Sequence, residues 1–183
     1  MAATFNVAWD FGGTANTPGT VEASLTNLRF NNEDTNDQDT ASPITIPTAG
    51  TAYSFWKQIY LHCTGAPSVQ VDNVQVYTDG TLGWTGCTVV SADDTLTHNS
   101  GSDAGYDPGQ AAVLTTHDTV TAVTDFFTYN SGSTQAIAIS ESGSVIDAVD
   151  EYTNYLALSL QVTSSATQGT QATETITWQY DEI

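Results

Sequence analysis

The sequence predicts an all-β fold, an antiparallel β-sandwich of jelly-roll or immunoglobulin-like type with about 8–10 strands. Three observations carry this. Apolar residues alternate with polar ones at a period of two through several segments. Turn signals rich in Gly, Asn, Asp and Pro interrupt these segments at short intervals. No stretch of useful length shows the 3.6-residue period of an amphipathic helix.

In chain order, residues 4–9 set Phe5, Val7 and Trp9 against polar neighbours and make a first strand, which Asp10, Phe11, Gly12 and Gly13 end. Residues 21–30 resume the pattern with Val21, Ala23 and Leu25, then change register to Leu28 and Phe30, as a bulge would require. Residues 31–39 are polar throughout and lead to Pro43 and Pro47, a loop that crosses between sheets. Residues 53–63 form the central strand. Phe55, Ile59, Leu61 and Cys63 share one face, and Trp56, Gln58, Tyr60 and His62 share the other. Lys57 falls on the apolar face, where a strand leaving the core would lay its aliphatic stem on apolar surface and keep its amine in water.

Residues 69–77 make a strand whose alternation breaks at Asp72 and Asn73, and residues 84–90 make a short one. Residues 91–110 are mostly polar, with four Asp and three Gly, and read as a functional or mobile loop. Residues 113–123 hold one strand or two. Residues 125–129 and 135–140 form a hairpin around the turn 130–133, and residues 145–151 a single helical turn or a short strand. The clearest half-buried strands come last, over 154–162 and 174–180.

The totals bound what the chain does. Its 183 residues suit one domain, residues 1–183. Arg29 and Lys57 are the only basic side chains against 21 acids, a formal charge of -19. A phosphate-tracking groove needs clustered cations, so nucleic-acid and anionic-membrane partners are disfavoured. Cations or basic protein surfaces are the natural partners, beside the general use of charge for solubility. No apolar run reaches membrane-span length, and the first residues lack a basic start and an apolar signal core, so synthesis in the cytoplasm is expected. Cys63 and Cys87 lack metal or redox spacing and leave two readings, a disulfide worth roughly 3–4 kcal/mol or two buried thiols.

Candidate sites follow from residue chemistry. Asp34, Asn36, Asp37 and Asp39 put hard oxygen donors into a turn-forming segment, as Ca²⁺ requires, although the spacing differs from the twelve-residue helical-hand loop. Asp93, Asp94, Asp103 and Asp107 form a looser set, and Asp147, Asp150 and Glu151 a third; each also reads as a solvated acidic loop. His62, His98 and His117 would join the cysteines around zinc only if distant loops converged. Trp9 and Trp178 read as core. Trp56, Tyr60 and Trp84 read either as an exposed platform for sugar rings or a partner protein, or as residues buried under a covering loop. Nucleophile-elbow, phosphate-loop and zinc-protease motifs are missing. Glu22, Glu141 and Glu174 leave a sugar-cleaving pair open, with nothing in the sequence to pair them.

Residues 53–63, 74–80 and 174–183 together resemble β-rich virion structural proteins of tailed viruses. The resemblance implies a particle or filament of many copies and brings no catalytic residue. It points to an auxiliary capsid protein that decorates or cements a shell, or to a tail-associated protein. Its partners would be the major capsid or tail protein and further copies of itself, and its place the virion after synthesis in the host cytoplasm. An extracellular carbohydrate- or ligand-binding module, or a surface-filament subunit, is the alternative from another class.

Overall fold

The computed structural model describes residues 2–35, 42–92, 96–109 and 123–183, and among them the chain is all β apart from two single 3₁₀ turns. Ten strands occur among the described residues: β1 (Thr4–Phe11), β2 (Thr20–Glu22), β3 (Thr51–Tyr53), β4 (Lys57–Gly65), β5 (Val71–Tyr77), β6 (Cys87–Ala92), β7 (Val123–Asp125), β8 (Gln135–Ala136), β9 (Leu156–Thr163) and β10 (Thr177–Glu182). They form two antiparallel sheets that pack against each other as a β-sandwich. The larger runs β2-β1-β4-β9-β6-β7, with β3 also on β9; the smaller runs β10-β5-β8. No helix among the described residues is long and apolar enough to cross a membrane.

The main core lies between the sheets. Trp9, Ile59, Leu61, Leu156, Leu158 and Leu160 of the large sheet meet Val71, Val74 and Val76 of the small one, as side chains of one parity on each strand must. The opposite parity is buried as well. Ala8, Trp56, Tyr60, Val90, Tyr155 and Ala157 form a second cluster with Leu96 and Tyr106, which come from the segment 96–109 lying across that face. Strand β9, expected to be half-buried, is therefore enclosed on both faces. Leu96 and Tyr106 seat the loop together with backbone bonds, the Tyr155 N–H donating to the Leu96 carbonyl (3.0 Å) and the Trp56 N–H to the Gly109 carbonyl (3.1 Å). The loop turns back on itself at Gly105, where a Cβ would stand 2.5 Å from the Leu96 carbonyl carbon.

Several sequence expectations are corrected. The central segment 53–63 is interrupted: β3 and β4 both pair with β9, yet from Tyr53↔Gln161 to Lys57↔Leu158 one strand advances four residues and the other three. That is a one-residue bulge. It is held by Ser54, whose N–H donates to the Leu160 carbonyl and whose hydroxyl accepts from the Leu160 N–H, both at 2.9 Å. The strand expected over 21–30 ends at Glu22, and Leu25, Leu28 and Phe30 pack on the core from irregular chain. The break at Asp72 and Asn73 is a bulge against β10, with Asn73 at φ 49°.

The expected hairpin of 125–129 with 135–140 does not form. Residues 130–133 do turn, but β7 joins the large sheet and β8 the small one. The cause is local. Asp125 caps a 3₁₀ turn at Phe126–Thr128 by accepting from the Phe127 N–H, and that turn drives Phe126 and Phe127 into the core between the sheets. Residues 142–144 make the other 3₁₀ turn, after which Ile146 bridges to Val71.

Lys57 is also corrected. It does not reach water but is fully buried. Its stem lies on the inter-sheet side, with Nζ 5.1 Å from the centroid of the Trp9 ring. The ammonium donates to Asn31 Oδ1 (2.8 Å) and to the carbonyls of Glu33 (2.8 Å) and Thr35 (2.9 Å). Segment 31–35 curls over the amine because those three oxygens replace its water. Burial holds Lys57 down, to about 8, against the opposing pull of Asp34 and Glu33.

Candidate functional site

The platform expected of Trp56, Tyr60 and Trp84 is not assembled. Trp56 and Tyr60 are 1% and 2% exposed beneath segment 96–109, and the half-buried Trp84 packs on the main core against Phe30, its indole N–H donating to the Ala172 carbonyl at 2.7 Å. The covering loop removes that face of the sheet from solvent.

A cluster of polar side chains lies beneath the same loop. The tetrapeptide Asn99, Ser100, Gly101, Ser102 forms a tight turn in which the Asn99 and Ser102 backbones exchange hydrogen bonds of 3.0 and 3.1 Å and the Gly101 N–H donates to Asn99 Oδ1 at 2.9 Å. His98 and Asp103 flank it as the next facing pair, so their side chains meet with His98 Nε2 3.3 Å from Asp103 Oδ1. Strand β1 brings in the third member. Asp10 shares a face with Ala8, and its Oδ2 lies 4.0 Å from His98 Nε2. Each of the three offers one ligating atom, all within 4.8 Å of one another, and this is the one such group of three among the described residues.

The surroundings fix these groups. Tyr60 donates to Asp10 Oδ1 at 3.0 Å, Tyr155 donates to Asp10 Oδ2, and Tyr155 also reaches Asp103 Oδ1 at 3.5 Å. The His98 ring stacks on Tyr155, with Tyr60 and Tyr152 at its other sides. His98 Nδ1 stands 3.2 Å from the Thr153 carbonyl, which accepts only, so Nδ1 carries the hydrogen and donates. Nε2 therefore turns its lone pair toward two carboxylates. Burial pushes the His98 imidazole down to about 4, opposed by the Thr153 bond and aided by His62, so the ring is neutral at pH 7. Burial likewise raises Asp10 to about 6, against the stabilising donors Tyr155 and Tyr60 and with added repulsion from Asp103 and Asp34. Burial, followed by the Asp10 charge, holds the Tyr155 and Tyr60 phenols well above their ordinary range.

Asp34, Asp107, Asp150 and Glu151, also expected as ligands, hold partners elsewhere in the fold. Asp34 fastens loops: its Oδ2 accepts from the Gly12 N–H (2.6 Å) and the Tyr106 hydroxyl (2.5 Å). Asn36, Asp37 and Asp39, the rest of the calcium set, lie outside the described residues, as do Asp93, Asp94 and His117. Asp107 accepts from the Gly109 N–H, Glu151 from the Asp147 and Ala148 N–H groups, and Asp150 faces His62 at 2.9 Å. Glu141 accepts from Ser100 and Tyr152, and Glu174 accepts from Gly83.

Cys63 and Cys87 are free. Cys63 lies four residues past Ile59, which pairs with the first residue of β9, whereas Cys87 pairs with Val162 near its far end. A bridge cannot span that length. Ellman titration of the unfolded, unreduced chain is expected to find two thiols per chain; none would contradict this arrangement.

Comparison with known protein families, with curated proteins and with solved structures finds no match.

Proposed function

We propose that the chain is a virion structural protein, an auxiliary capsid protein of a tailed virus that attaches to the outside of a shell and acts by adhesion. One observation carries the reading: the interior takes up Lys57, one of only two basic side chains, leaving Arg29 on the surface. Opposed to it is a shell of Asp and Glu within a total charge of -19. Such a surface is complementary to a repeating cationic one, and complementary charge speeds docking and sets its register. The two-sheet frame supplies a rigid body to dock. In the small sheet the edge strand β10 carries Asp181 and Glu182, charges of the kind that discourage edge-to-edge pairing between copies.

The test is co-sedimentation with empty shells assembled from the major capsid protein of the same virus. Saturable binding is expected, weakening about tenfold or more between roughly 50 and 500 mM NaCl as exposed charges are screened. No binding at low salt, or binding indifferent to salt, would overturn the reading.

A further inference from the structure

We infer that Asp10, His98 and Asp103 form a site for one divalent cation of the zinc or manganese class, which clamps segment 96–109 onto the large sheet. The geometry carries it. Three electron-pair donors, an imidazole nitrogen and two carboxylate oxygens, converge within 4.8 Å with no donor hydrogen of their own between them in the tautomer that Thr153 fixes. Ligands held tetrahedrally about 2.0–2.1 Å from such an ion lie about 3.4 Å apart. The His98 to Asp103 separation of 3.3 Å already meets this, while Asp10, 4.0 Å from His98 and within 4.8 Å of Asp103, must draw in toward the ion.

The outer partners match those that metal ligands require. A ligating histidine donates its other ring N–H to a carbonyl or carboxylate, and a ligating carboxylate is itself hydrogen-bonded. Here His98 Nδ1–H donates to Thr153, and Asp10 accepts from Tyr60 and Tyr155. The imidazole selects against calcium and magnesium, which take oxygen ligands. The Asp103 side chain, 40% exposed, gives the ion a path from solvent, while His98 and Asp10 are buried. Because Asp10 belongs to β1 and the other two to the covering loop, an ion held by all three ties the loop to the sheet.

This inference stands apart from the adhesion reading and is tested without any partner. The full chain, stripped with chelator and desalted, is titrated separately with Zn²⁺, Mn²⁺ and Ca²⁺ while metal content and melting midpoint are followed. One tightly held Zn²⁺ or Mn²⁺ per chain is expected, with the midpoint rising about 5–10 °C at a hundredfold excess over Kd. Asp103→Asn and His98→Gln should each weaken binding about 10–100-fold or more, whereas Asp150→Asn, on an exposed acid beside His62, should leave it unchanged. If His98→Gln does not fold, Asp103→Asn on its part-exposed side chain still decides. Failure to retain either ion, equal retention by Asp103→Asn, or a calcium response as large as that to zinc would each overturn the site.

Discussion

Lys57→Met is expected to destabilise the chain by about 2–4 kcal/mol, lowering the melting midpoint by about 4–16 °C. Methionine fills much of the same volume but brings no donor. Asn31 Oδ1 and the Glu33 and Thr35 carbonyls lose the hydrogens they now receive, and the ammonium no longer sits over Trp9. Those oxygens recover water only if segment 31–35 lifts, which also disturbs Asp34 and its bonds to Gly12 and Tyr106. The same variant isolates a pH effect. Lys57 titrates at about 8 in the folded chain, below its ordinary 10.5. Between those values the unfolded chain binds the extra proton, so the stability of the parent rises with pH relative to the variant. The gap between parent and variant in urea melts should therefore widen from pH 8 toward 10, by up to about 1.4 kcal/mol per pH unit. A gap that stays flat or narrows would show that the buried amine does not titrate there.

Trp56→Ala is expected to cost about 3–5 kcal/mol, the range for removing a buried indole without full collapse of the space. Trp56 is enclosed with Tyr106, Tyr155 and Leu96, so its loss opens the second cluster and loosens segment 96–109 from the sheet. Denaturant melts should show the loss, and hydrogen exchange should show faster opening in 96–109 than in β9. Trp84→Ala should cost less, since part of its ring is already in water. A normally stable Trp56→Ala that had lost sugar binding would instead restore the exposed platform.

Much of the architecture is legible in the residues themselves. The alternation around Phe5, Val7 and Trp9, and that from Leu156 to Val162, fixes strand and inward face together, because parity alone decides which side chains meet the other sheet. The fate of the opposite parity is not legible. Trp56, Tyr60 and Tyr155 are covered by a loop whose only large apolar residues are Leu96 and Tyr106, too few to register as a pattern. Lys57 misleads for a related reason: a lysine on an apolar face normally snorkels to water, and its three acceptors come from distant, mostly polar chain, two of them backbone carbonyls.

The Asp10, His98 and Asp103 cluster is half legible in the sequence. The tetrapeptide at 99–102 is identical to the one at 130–133, and both fold into the same turn, with Gly N–H donating to Asn Oδ1 at 2.9 Å in each. The turn chemistry shared by the two tetrapeptides sets His98 beside Asp103. Asp10 could not have been added that way. It sits at the end of a strand beside a glycine pair, where an acid reads as turn chemistry, and only the three-dimensional packing of Tyr60 and Tyr155 shows its burial.

A side-chain-resolution image of the assembled particle decides the proposed adhesive role, since it records the docked face itself. On the proposed role, the sandwich is expected on the outer surface of the shell, with Asp and Glu of the chain opposite Lys and Arg of the capsid and with Trp56 and Tyr60 still under segment 96–109. A particle without the chain, or an interface built on those two aromatics drawn out from under the loop, would contradict it.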